Sequence, residues 1–240
     1  MAIVILTSCR RDFDNPDHFG PRAFESAAGY DDLVPLICIH GYNSDRVKAD
    51  ASYRTIAAGL GRAVTGELWP GGDKAVEYPL AVMNATKAGW RLQDLIAWFN
   101  AMGVKPSIQT HSLGARVALE ALRGGFVDVA TLILCAPAVD DDCLGQNGEF
   151  EDVPPICDSV HVFHSRGDEV LRKWYPLGDL DGHDRALGYN GPSGAVEDNV
   201  HVWDCSARIT DHSQYRDCTE YIVALKRILD GDEFGARITL

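Results

Sequence analysis

The chain alternates short apolar runs with longer segments of helical spacing. Apolar runs that predict strands lie at Ala2–Thr7, Leu36–His40, Ser107–Thr110, Thr131–Cys135, Ser159–His164 and Asn199–Asp204, with one more just before Trp69-Pro70-Gly71-Gly72. Several of them do not alternate polar and apolar residues, as expected of strands covered on both faces. Between them, helical patterns run over Ala51–Ala63, Ala81–Met102, Leu113–Arg123 and Gln214–Leu229. Gly124-Gly125 stop the third, and Tyr221, Ile222, Leu225, Ile228 and Leu229 form a stripe on the last. Strand–helix–strand repetition with right-handed crossovers predicts a mostly parallel sheet with helices on both faces. The Gly-rich stretch Leu171–Glu197 is expected to be a long loop and a lid. No large cap insertion and no internal repeat interrupt the pattern, and residues 1–240 are expected to form one domain.

Composition narrows the function classes. The 240 residues include 22 Lys+Arg and 35 Asp+Glu, a formal charge of −13. That balance argues against sequence-independent nucleic-acid binding, which needs Lys and Arg to neutralise phosphates, and against docking on an anionic membrane. No run approaches the roughly 20 apolar residues that span a bilayer. The opening MAIVILTSCRR lacks basic residues ahead of its short apolar run, so it reads as a strand rather than a secretory signal. The seven cysteines are scattered without close pairs. They are expected to be reduced thiols in a cytoplasmic protein, with Cys38 and Cys135 as small buried hydrophobes. Phosphate-loop, dinucleotide and zinc spacings do not occur, so no cofactor and no metal are expected.

The candidate chemistry centres on Ile108–Val117, IQTHSLGARV. A strand ends at Thr110 and a helix begins just after Ser112. The serine therefore stands at a strand-to-helix turn, with Gly114 two residues on, as in the G-x-S-x-G nucleophile elbow. Thr110 replaces the first glycine of that pattern. The following helix would aim its N-terminal amides at an oxyanion formed on the serine. A serine so placed also serves simply as a helix cap. Upstream, ICIHGYNSD carries His40-Gly41 at the end of an apolar strand. That turn would point the Tyr42 N–H at the serine, to pair with the N–H of Leu113.

IHGYN, WPGG, THSLGARV, LCAPAVD, SRGDEVL and DHSQY together resemble α/β-hydrolase-fold proteins. They most resemble a bacterial group described as alpha/beta hydrolases of unknown function, over about Leu33–Leu229. The resemblance implies an esterase-like acyl hydrolase and a chain order of serine, acid, histidine. Asp168, in the turn after Ser159–His164, is the expected acid, with Asp140 as its rival. His212, after the last long strand, is the expected base. His40, His161 and His201 are read as structural, and His111 is expected to point away from the serine. The implied reaction is cleavage of a carboxylic ester or related acyl bond through an acyl-serine, on a small-molecule acyl substrate. Transfer to another acceptor, action on thioesters, or binding without catalysis stand as alternatives. Trp174 and Tyr175 are candidate substrate walls.

Overall fold

A computed structural model of the chain describes residues 3–11, 14, 17–26, 29–72, 78–178 and 185–240. Its centre is a nine-stranded sheet: β1 (Val4–Arg10), β2 (Phe19–Phe24), β3 (Leu36–Ile39), β4 (Val64–Leu68), β5 (Ser107–His111), β6 (Val129–Cys135), β7 (Cys157–His164), β8 (Val200–Asp204) and β9 (Arg237–Thr239). The spatial order is β2-β1-β4-β3-β5-β6-β7-β8-β9. Only the β1–β2 pair is antiparallel. The expected mostly parallel sheet with helices on both faces is therefore present.

Helices α1 (Arg46–Leu60) and α6 (Thr219–Leu229) pack together on one face, and α2 (Tyr78–Ala101) and α3 (Gly114–Leu122) pack together on the other. This double cover explains the unbroken apolar strands, because β3 and most of β6 are buried on both sides. Helix α1 begins where the Asp45 carboxylate accepts the Lys48 N–H at 2.8 Å. It ends at Gly61 in the left-handed conformation. The α2–α3 contact is close enough that a Cβ on Gly89 would stand 2.5 Å from the Glu120 Cβ and 3.0 Å from the Ala121 nitrogen.

The strand order decides where a site can form. From β3 the chain leaves through α1 toward β4, whereas from β5, the neighbour on the other side, it leaves through α3 toward β6. The loops after β3 and β5 therefore diverge, and the crevice between them is the usual ligand position in such sheets.

Several expectations are corrected. Strand β1 runs on past Thr7 to Arg10, because Thr7 and Ser8 pair with both β2 and β4 although their side chains are polar (Ala2, its expected start, lies outside the described residues). Edge strands β2 and β9 were not legible: one contains Pro21 and neither has an apolar rhythm. The expected loop Leu171–Glu197 instead contains α4 (Glu169–Gly178) and the short α5 (Leu187–Asn190). Asp168 starts α4 by accepting the Leu171 N–H, and Glu169 braces it by pairing with Arg172 and Lys173. The expected helix Gln214–Leu229 is a 3-10 turn over Gln214–Asp217 followed by α6. All seven cysteines are buried free thiols, and burial pushes Cys38 and Cys157 up to about 12. Among the described residues no helix is long and apolar enough to cross a membrane.

Gly89→Ala sets helix propensity against packing. Alanine gains roughly 1 kcal/mol in a helix, but the overlap with α3 backbone costs about 1–3 kcal/mol. Net destabilisation is expected in urea unfolding, and a more stable variant would show that α2 and α3 are less closely packed.

Candidate active site

Ser112 leaves β5 with φ +55°, a left-handed conformation that costs a non-glycine residue energy unless its surroundings enforce it. Here they do. The Ser112 N–H donates to the Cys135 carbonyl at 3.0 Å, and its own carbonyl accepts from Ala115 N and Ala138 N at 3.0 and 3.2 Å. Its neighbours must be small. A Cβ on Gly41 would fall 2.8 Å from the Ser112 Cβ, and one on Gly114 would fall 2.5 Å from the His40 carbonyl oxygen. Thr110 is accommodated because it lies one step back inside β5, with its hydroxyl donating to the Ile133 carbonyl at 3.2 Å. The crowded partners of the elbow are thus Gly114 and Gly41, the latter from a different strand end.

The expected acid and base meet. His212 Nδ1 lies 2.6 Å from Asp168 Oδ2. Asp168 is fully enclosed, and its other oxygen accepts the Leu171 N–H at 2.9 Å. A carboxylate with both oxygens bound is held in place, and an Nδ1–H donated to it leaves the lone pair of the imidazole on Nε2. The two loops that carry the pair are locked together. Ser165 Oγ donates to the Ile209 carbonyl at 2.5 Å, and a Cβ on Gly167 would fall 2.6 Å from that same oxygen. Asp140, the rival acid, instead accepts a hydrogen bond from the Tyr175 hydroxyl at 2.7 Å.

His111 does not point away. Its ring stands 4.7 Å from the His212 ring, and Nε2 lies 2.8 Å from the His212 carbonyl oxygen. A carbonyl only accepts, so Nε2 carries the proton. Loss of solvent around the half-buried ring, then the neighbouring His212, hold the His111 pKa down to about 4. Through His111 the residue beside Ser112 holds the backbone of His212. Adjacency to the serine could have marked His111 as part of the site, but its direction depends on the turn.

His40 and Gly41 follow β3, and Gly41 lies beside Ser112. The Tyr42 ring meets Tyr78 edge-on at 5.3 Å, which places the start of α2 at the same rim. Leu113 immediately precedes α3, whose Ala115 and Arg116 N–H groups donate back to the Ser112 and Leu113 carbonyls at 3.0 and 3.1 Å. The two expected wall residues differ. Trp174 is 65% exposed on α4, whereas Tyr175 is buried and bound to Asp140. His161 and His201 stack together on β7 and β8, and His183 lies outside the described residues. Among the described residues no cluster of three or more His, Cys, Asp or Glu is arranged to hold a metal ion.

A doubly wound sheet with a strained serine at one strand end and a paired histidine and aspartate at two others is of the α/β-hydrolase class. The chain belongs to the family described as alpha/beta hydrolase of unknown function (DUF900), whose model matches residues 31–174. No curated protein sequence matches it. Among solved structures, the product of gene lin2722 from Listeria innocua aligns at 13% identity with a TM-score of 0.46, covering 87% of this chain and 99% of that one. A likeness of that degree supports no statement about this chain.

Buried His40 and half-buried His111, both neutral, make the fold acid-sensitive. His40 is held down to about 3 by burial and by Arg10, and His111 to about 4. Both gain a proton on unfolding below pH ~6.5, so their contribution is complete above that pH and is lost as pH falls toward 4. Each costs about 1.4 kcal/mol per pH unit in that window. Urea unfolding should be nearly independent of these groups above about pH 7 and approach this slope between about pH 6 and 4.5, and His111→Gln should flatten it there by about one proton. An unchanged slope in that variant would mean that His111 already carries a second proton in the native state.

Proposed function

We propose that the protein is a serine hydrolase that cleaves a carboxylic ester or related acyl bond through an acyl-serine. The observation that carries this reading is the 2.6 Å contact between His212 Nδ1 and Asp168 Oδ2, with the His212 ring 4.7 Å from that of His111, the residue before a serine held at positive φ. In the proposed reaction His212 Nε2 takes the Ser112 hydroxyl proton as Oγ attacks the acyl carbon. Asp168 keeps the imidazole oriented and stabilises the imidazolium. The Tyr42 and Leu113 N–H groups bind the oxyanion. The alkoxide leaves with the proton from His212, and water then releases the acid by the same steps in reverse.

The substrate is a small acyl compound. Trp174, on the exposed side of α4, is assigned as a substrate wall, and Tyr175 acts behind it by holding Asp140.

A fluorophosphonate should label the purified protein at Ser112, with the adduct mapped by mass spectrometry and absent in Ser112→Ala. A folded wild-type protein that stays unlabelled would favour a binding role for this fold over catalysis.

Asp168→Asn should reduce ester turnover by about 10⁴-fold, as loss of the acid does in serine triads. Asp140→Asn should cost under about 10-fold, since its carboxylate is occupied by Tyr175. Equal losses in the two variants would reopen the assignment of the acid.

A further inference from the structure

Every polar group of His40 is engaged. Its N–H donates to the Tyr53 hydroxyl oxygen at 3.0 Å, and that hydroxyl in turn donates to the Glu67 carbonyl at 2.7 Å. The His40 carbonyl accepts from Trp69 Nε1 at 2.8 Å. On the ring, Nε2 faces two donors, the Trp69 N–H at 3.2 Å and Arg10 Nη2 at 3.1 Å. Nδ1 lies 2.7 Å from the Gly41 carbonyl oxygen.

Only one placement of the imidazole proton satisfies this set. Arginine has donors and no acceptor, and so does a backbone N–H, so Nε2 must present its lone pair. The proton is therefore on Nδ1, which donates to Gly41 O. That carbonyl belongs to the same peptide as the Tyr42 N–H. The peptide is trans, so its C=O and N–H point in opposite directions. Tying the carbonyl to the imidazole turns the Tyr42 N–H away from it, while Gly41 itself abuts Ser112.

We propose that Arg10 and His40 are positioning residues for the oxyanion: Arg10 holds His40 in its Nδ1–H tautomer, and His40 thereby aims the Tyr42 N–H. This rests on the acyl-serine reading and deepens it. Arg10 is built for the task. It is fully buried at the end of β1, and it also donates through Nε to the Trp69 carbonyl at 2.9 Å and through Nη2 to the Ser44 carbonyl at 2.7 Å. One planar fork therefore joins the chain ends of β1, β3 and β4, a geometry lysine does not reproduce. Its charge also opposes protonation of His40, so the tautomer persists as the surroundings acidify.

The test is the rate at which a fluorophosphonate labels Ser112, because the adduct places an oxygen where the oxyanion would sit. Arg10→Met and His40→Gln should each slow labelling by about 100-fold, the scale of losing one oxyanion donor. His40→Asn, whose amide nitrogen can stand in for Nδ1, should label at least about 10-fold faster than His40→Gln. Ester turnover should fall in kcat with KM little changed. Urea unfolding of each variant identifies any that fail to fold. Nitrogen-15 NMR of the histidines in the wild-type protein needs no variant and should find the His40 proton on Nδ1. A proton on Nε2, or wild-type labelling rates in both Arg10→Met and His40→Gln, would overturn the Arg10–His40 assignment alone. A wild-type protein unlabelled at Ser112 would overturn the acyl-serine reading and this assignment with it.

Discussion

Ser112 stands in a backbone conformation that an isolated L-residue avoids, at a cost of order 1–3 kcal/mol. The surrounding structure is arranged to keep it there. Strand β6 anchors its amide, the chain following β6 donates to its carbonyl, and the glycine after β3 leaves room for its Cβ. These supports come from two separate segments, the end of β6 and the turn after β3, that are brought together only when the central parallel strands pair in register. The side chain is therefore presented at the crevice between β3 and β5 by the closure of the sheet itself. The site inherits the rigidity of the core, where Ile37, Ile108 and Leu132 are fully buried.

Three histidines crowd this crevice and take three different roles from their surroundings. His40 is enclosed beside a guanidinium and serves as a neutral link between loops. His111 is neutral too, and its proton holds the His212 main chain. Of the three, only His212 meets a carboxylate. A neutral imidazole offers one donor and one acceptor, so each can join two specified partners and transmit an orientation from one to the other. Buried charge is handled similarly. The Arg22–Glu67 pair and Arg10 lie under the strand ends, where a packed apolar residue would avoid the cost of desolvation. What Arg10 supplies in return is direction, since its planar fork fixes two carbonyls and the His40 ring at once.

The candidate positions stood out in the chain because each sits where a regular pattern stops. An apolar strand ends and a serine precedes a helix; another ends in His-Gly; a third is followed by a Gly-Asp turn; the last is followed by His212. The supporting residues carried no such mark. Tyr53 is one apolar position among several on α1, and Arg10 read as a charge after a strand rather than as part of it. The edge strands β2 and β9 escaped for a related reason. A strand paired on one side needs no continuous apolar pattern, so Phe19–Phe24 and Arg237–Thr239 resemble loops until a partner is beside them.

The sequence by itself determined the class of fold and the order of its elements, because hydrophobic period and chain punctuation are local properties that any folded form must respect. It also determined which serine, histidine and aspartate were candidates. Only the tertiary structure paired His212 with Asp168 and Tyr175 with Asp140, turned His111 toward His212 and placed Arg10 on His40. Each of those outcomes depends on distances between residues about 30 to 100 positions apart in the chain. Such distances are set by strand register and by the packing of helices across the sheet, and neither is written in any one segment.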